Sequence, residues 1–77
     1  MSESDWTMGR IRKVFVDRGY GFIDAGLGKD VFFHMKFLSK IEREFIREGV
    51  NVRFQLEENE DKLRARRVSL IGQERVV

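Results

Sequence analysis

Two short aromatic stretches, Arg18-Gly19-Tyr20-Gly21-Phe22-Ile23 and Asp30-Val31-Phe32-Phe33-His34-Met35, hold the residues with the clearest chemical use. Each reads as a strand, and successive side chains of a strand point to opposite faces. Tyr20 and Phe22 therefore share one face while Ile23 takes the other. Phe32 and His34 likewise share a face, with Val31 and Phe33 on the reverse. The aliphatic side chains define the inside, which leaves Tyr20, Phe22, Phe32 and His34 facing water on neighbouring antiparallel strands, close enough to make one platform. Rings so placed gain nothing from burial. Their available chemistry is stacking, and flat apolar faces suit planar ligands such as nucleobases.

The basic-Gly-aromatic-Gly-aromatic-aliphatic order of Arg18 to Ile23 has the form of an RNP1 signature. Glycines at alternate positions put no side chain on the inner face and allow sharp twist, while the intervening rings stand clear. An RRM would place its second aromatic strand before this motif and would need two sizeable helices. Here the aromatic partner follows directly by hairpin and only one short helix is available, which argues against that fold.

The elements that must position these rings can be read along the chain. Met8 to Val16 reads as a first strand, Tyr20 to Asp24 as a second and Asp30 to His34 as a third, separated by Asp17-Arg18-Gly19 and Ala25-Gly26-Leu27-Gly28. Val50, Val52, Phe54 and Leu56 alternate with polar residues and predict a half-buried fourth strand. A fifth spans about Leu63 to Leu70, after an Asn59-Glu60-Asp61-Lys62 turn. Between strands 3 and 4, Leu38, Ile41 and Phe45 recur at helical intervals within Lys36 to Gly49. Ser39 with Glu42 has the form of a capping box, so a short helix is expected there. Phe33, Phe45 and Phe54 are expected in the core, and Met8 and Met35 as gap fillers. In the first strand strict alternation puts Lys13 on one face with Ile11 and Phe15. One extra residue near Arg12 resolves the conflict: Ile11 and Val14 then face inward, and Lys13 and Phe15 join Tyr20 and Phe22 outside.

Composition narrows the function classes. The chain has 77 residues, a single domain with a thin core. With no Cys and one His it has no disulfide framework and no means of building a metal site from those residues, which suits a reducing cytoplasm. No apolar stretch approaches a membrane span, and the start of the chain carries Glu3 and Asp5 rather than a basic, greasy leader. A net charge of +2 and a pI near 9.3 are only mildly basic. Placement says more: Arg10, Arg12, Lys13 and Arg18 lead into the first aromatic motif, and Lys62, Arg64, Arg66 and Arg67 crowd a late segment, with acidic Glu57, Glu58, Glu60 and Asp61 between. Gly21 and Gly26 have P-loop spacing, but Leu27-Gly28 follows instead of Lys-Ser/Thr, so no phosphate cradle forms. His34 has no Ser or Cys nucleophile in a recognisable setting, and no catalysis and no cofactor are expected.

Taken together, these motifs resemble the cold-shock domain, a small five-stranded OB-type barrel that binds single-stranded RNA and DNA. The likeness runs without a gap from about Gly9 to Val68. Gly9 to Phe15 stands where the family writes Gly-x-Val-Lys-Trp-Phe-Asn. Arg18 to Ile23 matches Lys-Gly-Phe-Gly-Phe-Ile, and Asp30 to Met35 matches Asp-Val-Phe-Val-His-Phe. Gly49 to Phe54 matches Gly-x-x-Val-x-Phe, and Ala65 with Val68 the closing Ala-x-x-Val. The resemblance implies that Tyr20, Phe22, Phe32 and His34 contact bases, and that Arg12 and Arg18 replace phosphate-contacting lysines. Lys13 stands in place of an outward Trp and Met35 in place of a closing aromatic, two changes that weaken stacking. Phe15 replaces Asn on the same predicted face and adds a ring. In the connection after strand 3, Arg43 occupies the place of a further aromatic, where it is either a phosphate contact or part of a solvated face.

The resulting expectation is an all-β, five-stranded antiparallel OB-type Greek-key barrel over residues 8–71, with tails at 1–7 and 72–77. Its candidate nucleic-acid interface is Arg12, Lys13, Phe15, Arg18, Tyr20, Phe22, Phe32, His34 and Met35. The expected protein is a cytoplasmic monomer that binds single-stranded RNA or DNA, with no membrane, small-molecule or metal partner. It would act as an RNA chaperone or a regulator of transcription and translation. The rival from another class is a protein interaction module built on the same barrel, with the altered Lys36 to Glu48 segment recruiting the partner.

Overall fold

The computed structural model describes residues 6–71, so the expected tails at 1–7 and 72–77 lie outside the described residues apart from Trp6 and Thr7. Five strands form: β1 (Thr7–Phe15), β2 (Tyr20–Asp24), β3 (Val31–His34), β4 (Asn51–Asn59) and β5 (Lys62–Leu70). They close into a barrel in the order β1-β2-β3-β5-β4. Pairs β1–β2, β2–β3, β1–β4 and β4–β5 are antiparallel, and β3–β5 is parallel. A closed ring with an odd number of strands cannot alternate direction throughout. One parallel seam is therefore obligatory, and the all-β, OB-type barrel read from the sequence acquires a mixed sheet at that point.

Every strand contributes alternate apolar residues to one interior. Ile11, Ile23, Val31, Phe33, Val52 and Phe54 are the most deeply buried side chains, and Leu63, Ala65 and Val68 close the side formed by β5. Burial of these groups stabilises the fold by roughly 1.5–3 kcal/mol for each large side chain.

Two irregularities reconcile the core with its strands. The β1–β2 register shifts between Ile11 and Lys13, so Arg12 is the extra residue. Ile11 is buried and Lys13 exposed, as the sequence conflict required. A second shift lies between Phe54 and Leu56, which pair with Val68 and Ala65. Here the extra residue is on β5: it lets Ala65 and Val68 both face inward while Arg66 and Arg67 stay in solvent. The turns follow the expected residues. Gly19, at φ 81°, ends the Asp17-Arg18-Gly19 turn, and Glu60 adopts φ 58° between β4 and β5.

The connection from β3 to β4 holds the expected short helix as a single turn, α1 (Lys40–Arg43), preceded by a 3-10 turn at Met35–Phe37. The Ser39–Glu42 capping box does form: the Ser39 hydroxyl accepts from the Glu42 N–H, and the Glu42 carboxylate accepts from the Ser39 N–H, each at 3.1 Å. The expected apolar face does not. Leu38 is buried, but Ile41 is 70% and Phe45 45% exposed, and Ile46 takes the core position assigned to Phe45. So short a helix is marginal without packing. Anchoring at the far end decides the path: the Gly49 N–H donates to the Ile11 carbonyl and the Ile11 N–H to the Val50 carbonyl, both at 2.9 Å. Met8, expected to fill a gap, is exposed. Trp6 is half-buried, with the Arg53 guanidinium 4.8 Å from its ring centroid.

Candidate functional site

The hairpin register sets the platform. Across β2–β3, Tyr20 lies opposite His34 and Phe22 opposite Phe32. Across β1–β2, Phe15 lies opposite Tyr20 and Lys13 opposite Phe22. One residue from each pair of steps thus reaches the same outer face, while Gly21, Ile23, Val31 and Phe33 face inward and are buried. Gly21 is required for that arrangement. A Cβ there would meet the Lys13 carbonyl oxygen at 2.5 Å and the Phe33 ring at 2.6 Å, so the core ring packs directly against the strand backbone.

Phe15, Tyr20, Phe22 and Phe32 form one continuous cluster. Phe15 and Tyr20 have centroids 5.3 Å apart, Tyr20 and Phe32 5.5 Å, Phe22 and Phe32 5.9 Å, and Tyr20 and Phe22 6.0 Å. Phe15 also meets Phe22 edge-on at 6.5 Å. These separations are those of interacting rings, and the contacts hold each ring in place while leaving Tyr20, Phe22 and Phe32 half-exposed. The extra residue at Arg12 is what delivers Phe15 to this face. His34 is exposed at the end of β3, and its Nδ1 accepts from the Lys36 N–H at 3.3 Å, which leaves Nε2 as the ring's donor.

The cations divide into two kinds. Lys13 is exposed beside Phe22, and Arg18 is exposed on a turn whose N–H groups, at Arg18 and Gly19, both donate to the Phe15 carbonyl. Arg12 is committed instead: its Nε donates to Asp30 at 3.0 Å and its guanidinium reaches Asp24 at 4.0 Å. Asp30 raises the Arg12 pKa, first through the hydrogen bond and then through its charge, with the Asp24 charge adding to it. A cation whose folded value is raised stabilises the fold below its unfolded value and loses that contribution as pH climbs through the raised one. The pair is therefore intact throughout the neutral range. A phosphate at Arg12 has to compete with these carboxylates.

Met35 does not belong to the platform. It is buried at 7% exposure in the core, because alternation carried one residue past β3 puts it on the inward face with Val31 and Phe33, opposite to Phe32 and His34. Arg43 is tied locally, with Nε donating to the Met35 carbonyl at 3.2 Å.

Residues around the platform that sequence reasoning left out come from the parallel seam, where Phe32 pairs with Arg64. A groove of about 230 Å³ runs beside Phe32 and His34 with Lys36, Phe37, Arg64 and Arg66 along it. A second, of about 420 Å³, lies on the other side of Phe32, with Lys29, Lys62 and Arg64 among its walls. The cluster of late cations was visible in the sequence. Its place against β3 comes from the closure of the barrel between β3 and β5, which no local pattern records.

The family model described as the 'Cold-shock' DNA-binding domain matches residues 7–71, which take in all five strands and every platform ring. No individual curated protein matches the chain.

Proposed function

The chain belongs to the cold-shock domain family of nucleic-acid-binding domains, and from that premise we propose that it binds single-stranded RNA by stacking bases on the outer face of β1–β3. The observation that carries this reading is the ring cluster of Phe15, Tyr20, Phe22 and Phe32, held together on the water side of the barrel. His34 adds a polar ring at one end, and Lys13 and Arg18 supply positive charge at the margins.

Binding alone supplies the mechanism, with no bond made or broken. A surface that holds bases on its own rings is linked only to the unpaired state, so it draws hairpins toward open strand by mass action. In the cytoplasm this is the action of an RNA chaperone or of a regulator of transcription and translation. Stacking contributes about 1–3 kcal/mol per base, and ordering the strand offsets part of it, which gives an affinity near micromolar.

The test is a titration with oligo(U) and oligo(dT) at several salt concentrations. Binding should saturate and weaken as salt rises, and tighter binding to oligo(U) marks the RNA preference. Phe22→Ala or Phe32→Ala should each lower affinity by about tenfold or more while the domain stays folded. Exposed Phe37, Ile41 and Phe45, at 43%, 70% and 45%, favour the protein interaction module as the second reading. Absence of any oligonucleotide binding at low salt would select it.

A further inference from the structure

The groove beside β3 has a composition that the platform does not account for. Three cations reach it, Lys36, Arg64 and Arg66, against one carboxylate, Glu57. Glu57 lies opposite Arg64 in the β4–β5 register and offsets part of its charge. Among the described residues, both ion pairs are made by Arg12, so the excess here has no internal partner of that kind. The β5 irregularity is the reason Arg66 is turned outward next to the buried Ala65.

Aromatic surface accompanies the charge. Phe37 is 43% exposed at the rim, with the Lys36 ammonium 5.5 Å from its ring centroid. Phe32 and His34 line the groove as well as the platform, so the two surfaces are continuous. A volume of about 230 Å³ falls below the roughly 300–1,000 Å³ of sites that enclose a whole drug-sized ligand. It fits one base or phosphate group of a strand already held elsewhere.

We propose that this groove, along the parallel β3–β5 seam, is a second lane of the binding surface. It takes a further nucleotide of the same single strand, with Arg64 and Arg66 on its phosphates and Phe37 beside its base. The lane rests on the nucleic-acid reading of the platform. Its role is to bend the strand off the β1–β3 face and across the seam, so it adds affinity only for strands long enough to reach it.

The experiment is a length series, oligo(U) of three to eight nucleotides, against the wild-type chain, the double variant Arg64→Gln with Arg66→Gln, and Phe37→Ala. Both variants change exposed side chains, and circular dichroism establishes that they fold. The wild-type protein should gain about tenfold in affinity as the strand grows long enough to cross the seam. The double variant should bind the shortest oligomers as the wild type does and lose that gain. Its salt slope on the longest oligomer should fall by about 1.4, about 0.7 for each single-strand phosphate contact removed. Phe37→Ala should lose the length gain with the slope unchanged. Equal affinities and slopes for all three proteins at every length would overturn the lane and leave the platform standing. Failure of the wild type to bind any oligomer would overturn the platform, and the lane with it.

Discussion

The β2–β3 hairpin and the connection from Met35 to Val50 both expose aromatic side chains, yet only the hairpin organises them. In the hairpin each outward ring has a buried neighbour in sequence, Gly21 or Ile23 beside Phe22, Val31 or Phe33 beside Phe32. Burial of that inner set fixes the register, and the register gathers the rings into contact. The connection is anchored by Met35, Leu38 and Ile46, and its exposed apolar residues, Phe37, Ile41 and Phe45, project from an irregular path. An exposed ring becomes part of a designed surface when the strand beneath it has a core face to obey.

The largest expected effect cuts at that inner set. Phe33→Ala should destabilise the fold by about 3–5 kcal/mol in urea or thermal denaturation, enough to unfold much of so small a domain and to abolish the platform with it. Gly21→Ala should cost about 1–3 kcal/mol or more, because backbone and a core ring, not a flexible side-chain end, stand in the way of its Cβ. If Gly21→Ala melts like the wild type, the outward rings are not held by the packing beneath them, and the contrast with the connection collapses.

Smaller effects belong to the connection. Ser39→Ala removes one half of the capping box and should lower stability by about 1 kcal/mol with oligonucleotide affinity unchanged. Glu42, the other half, also lies 3.4 Å from the Ser69 hydroxyl and the Leu70 N–H, so the cap moors the connection to the end of β5. Ile41→Ser should change stability by less than about 0.5 kcal/mol, as expected of a side chain 70% exposed. A loss comparable to that of Phe33→Ala would mean the helical face predicted from spacing does pack in solution.

Legibility followed the same division. Period-two alternation in Tyr20 to Asp24 and Val31 to His34 was enough to assign inside and outside, and the conflict among Ile11, Lys13 and Phe15 was enough to require an extra residue near Arg12. The same conflict stands in Ala65 and Val68, three residues apart and both buried, and it marks the β5 irregularity that turns Arg66 outward. Helical spacing of Leu38, Ile41 and Phe45 misled, because hydrogen bonds from Gly49 and to Val50 set the segment's path from outside it. Arg12 was legible as a cation near the motif. Its capture by Asp24 and Asp30 depends on the β1–β2 pairing and on the position of the turn before β3, which no local pattern records.

The ring planes also limit the shape of what can lie on them. Neighbouring planes meet at 35° between Tyr20 and Phe32, 48° between Phe15 and Tyr20, and 85° between Tyr20 and Phe22. Bases laid flat on such facets cannot stay parallel to one another, so each must leave the column it forms in a helix. A strand that already stacks strongly on itself, such as oligo(A), meets that demand at greater cost than the floppy oligo(U). Under the proposed stacking mode, oligo(A) is therefore expected to bind more weakly than oligo(U) of equal length in the same titration.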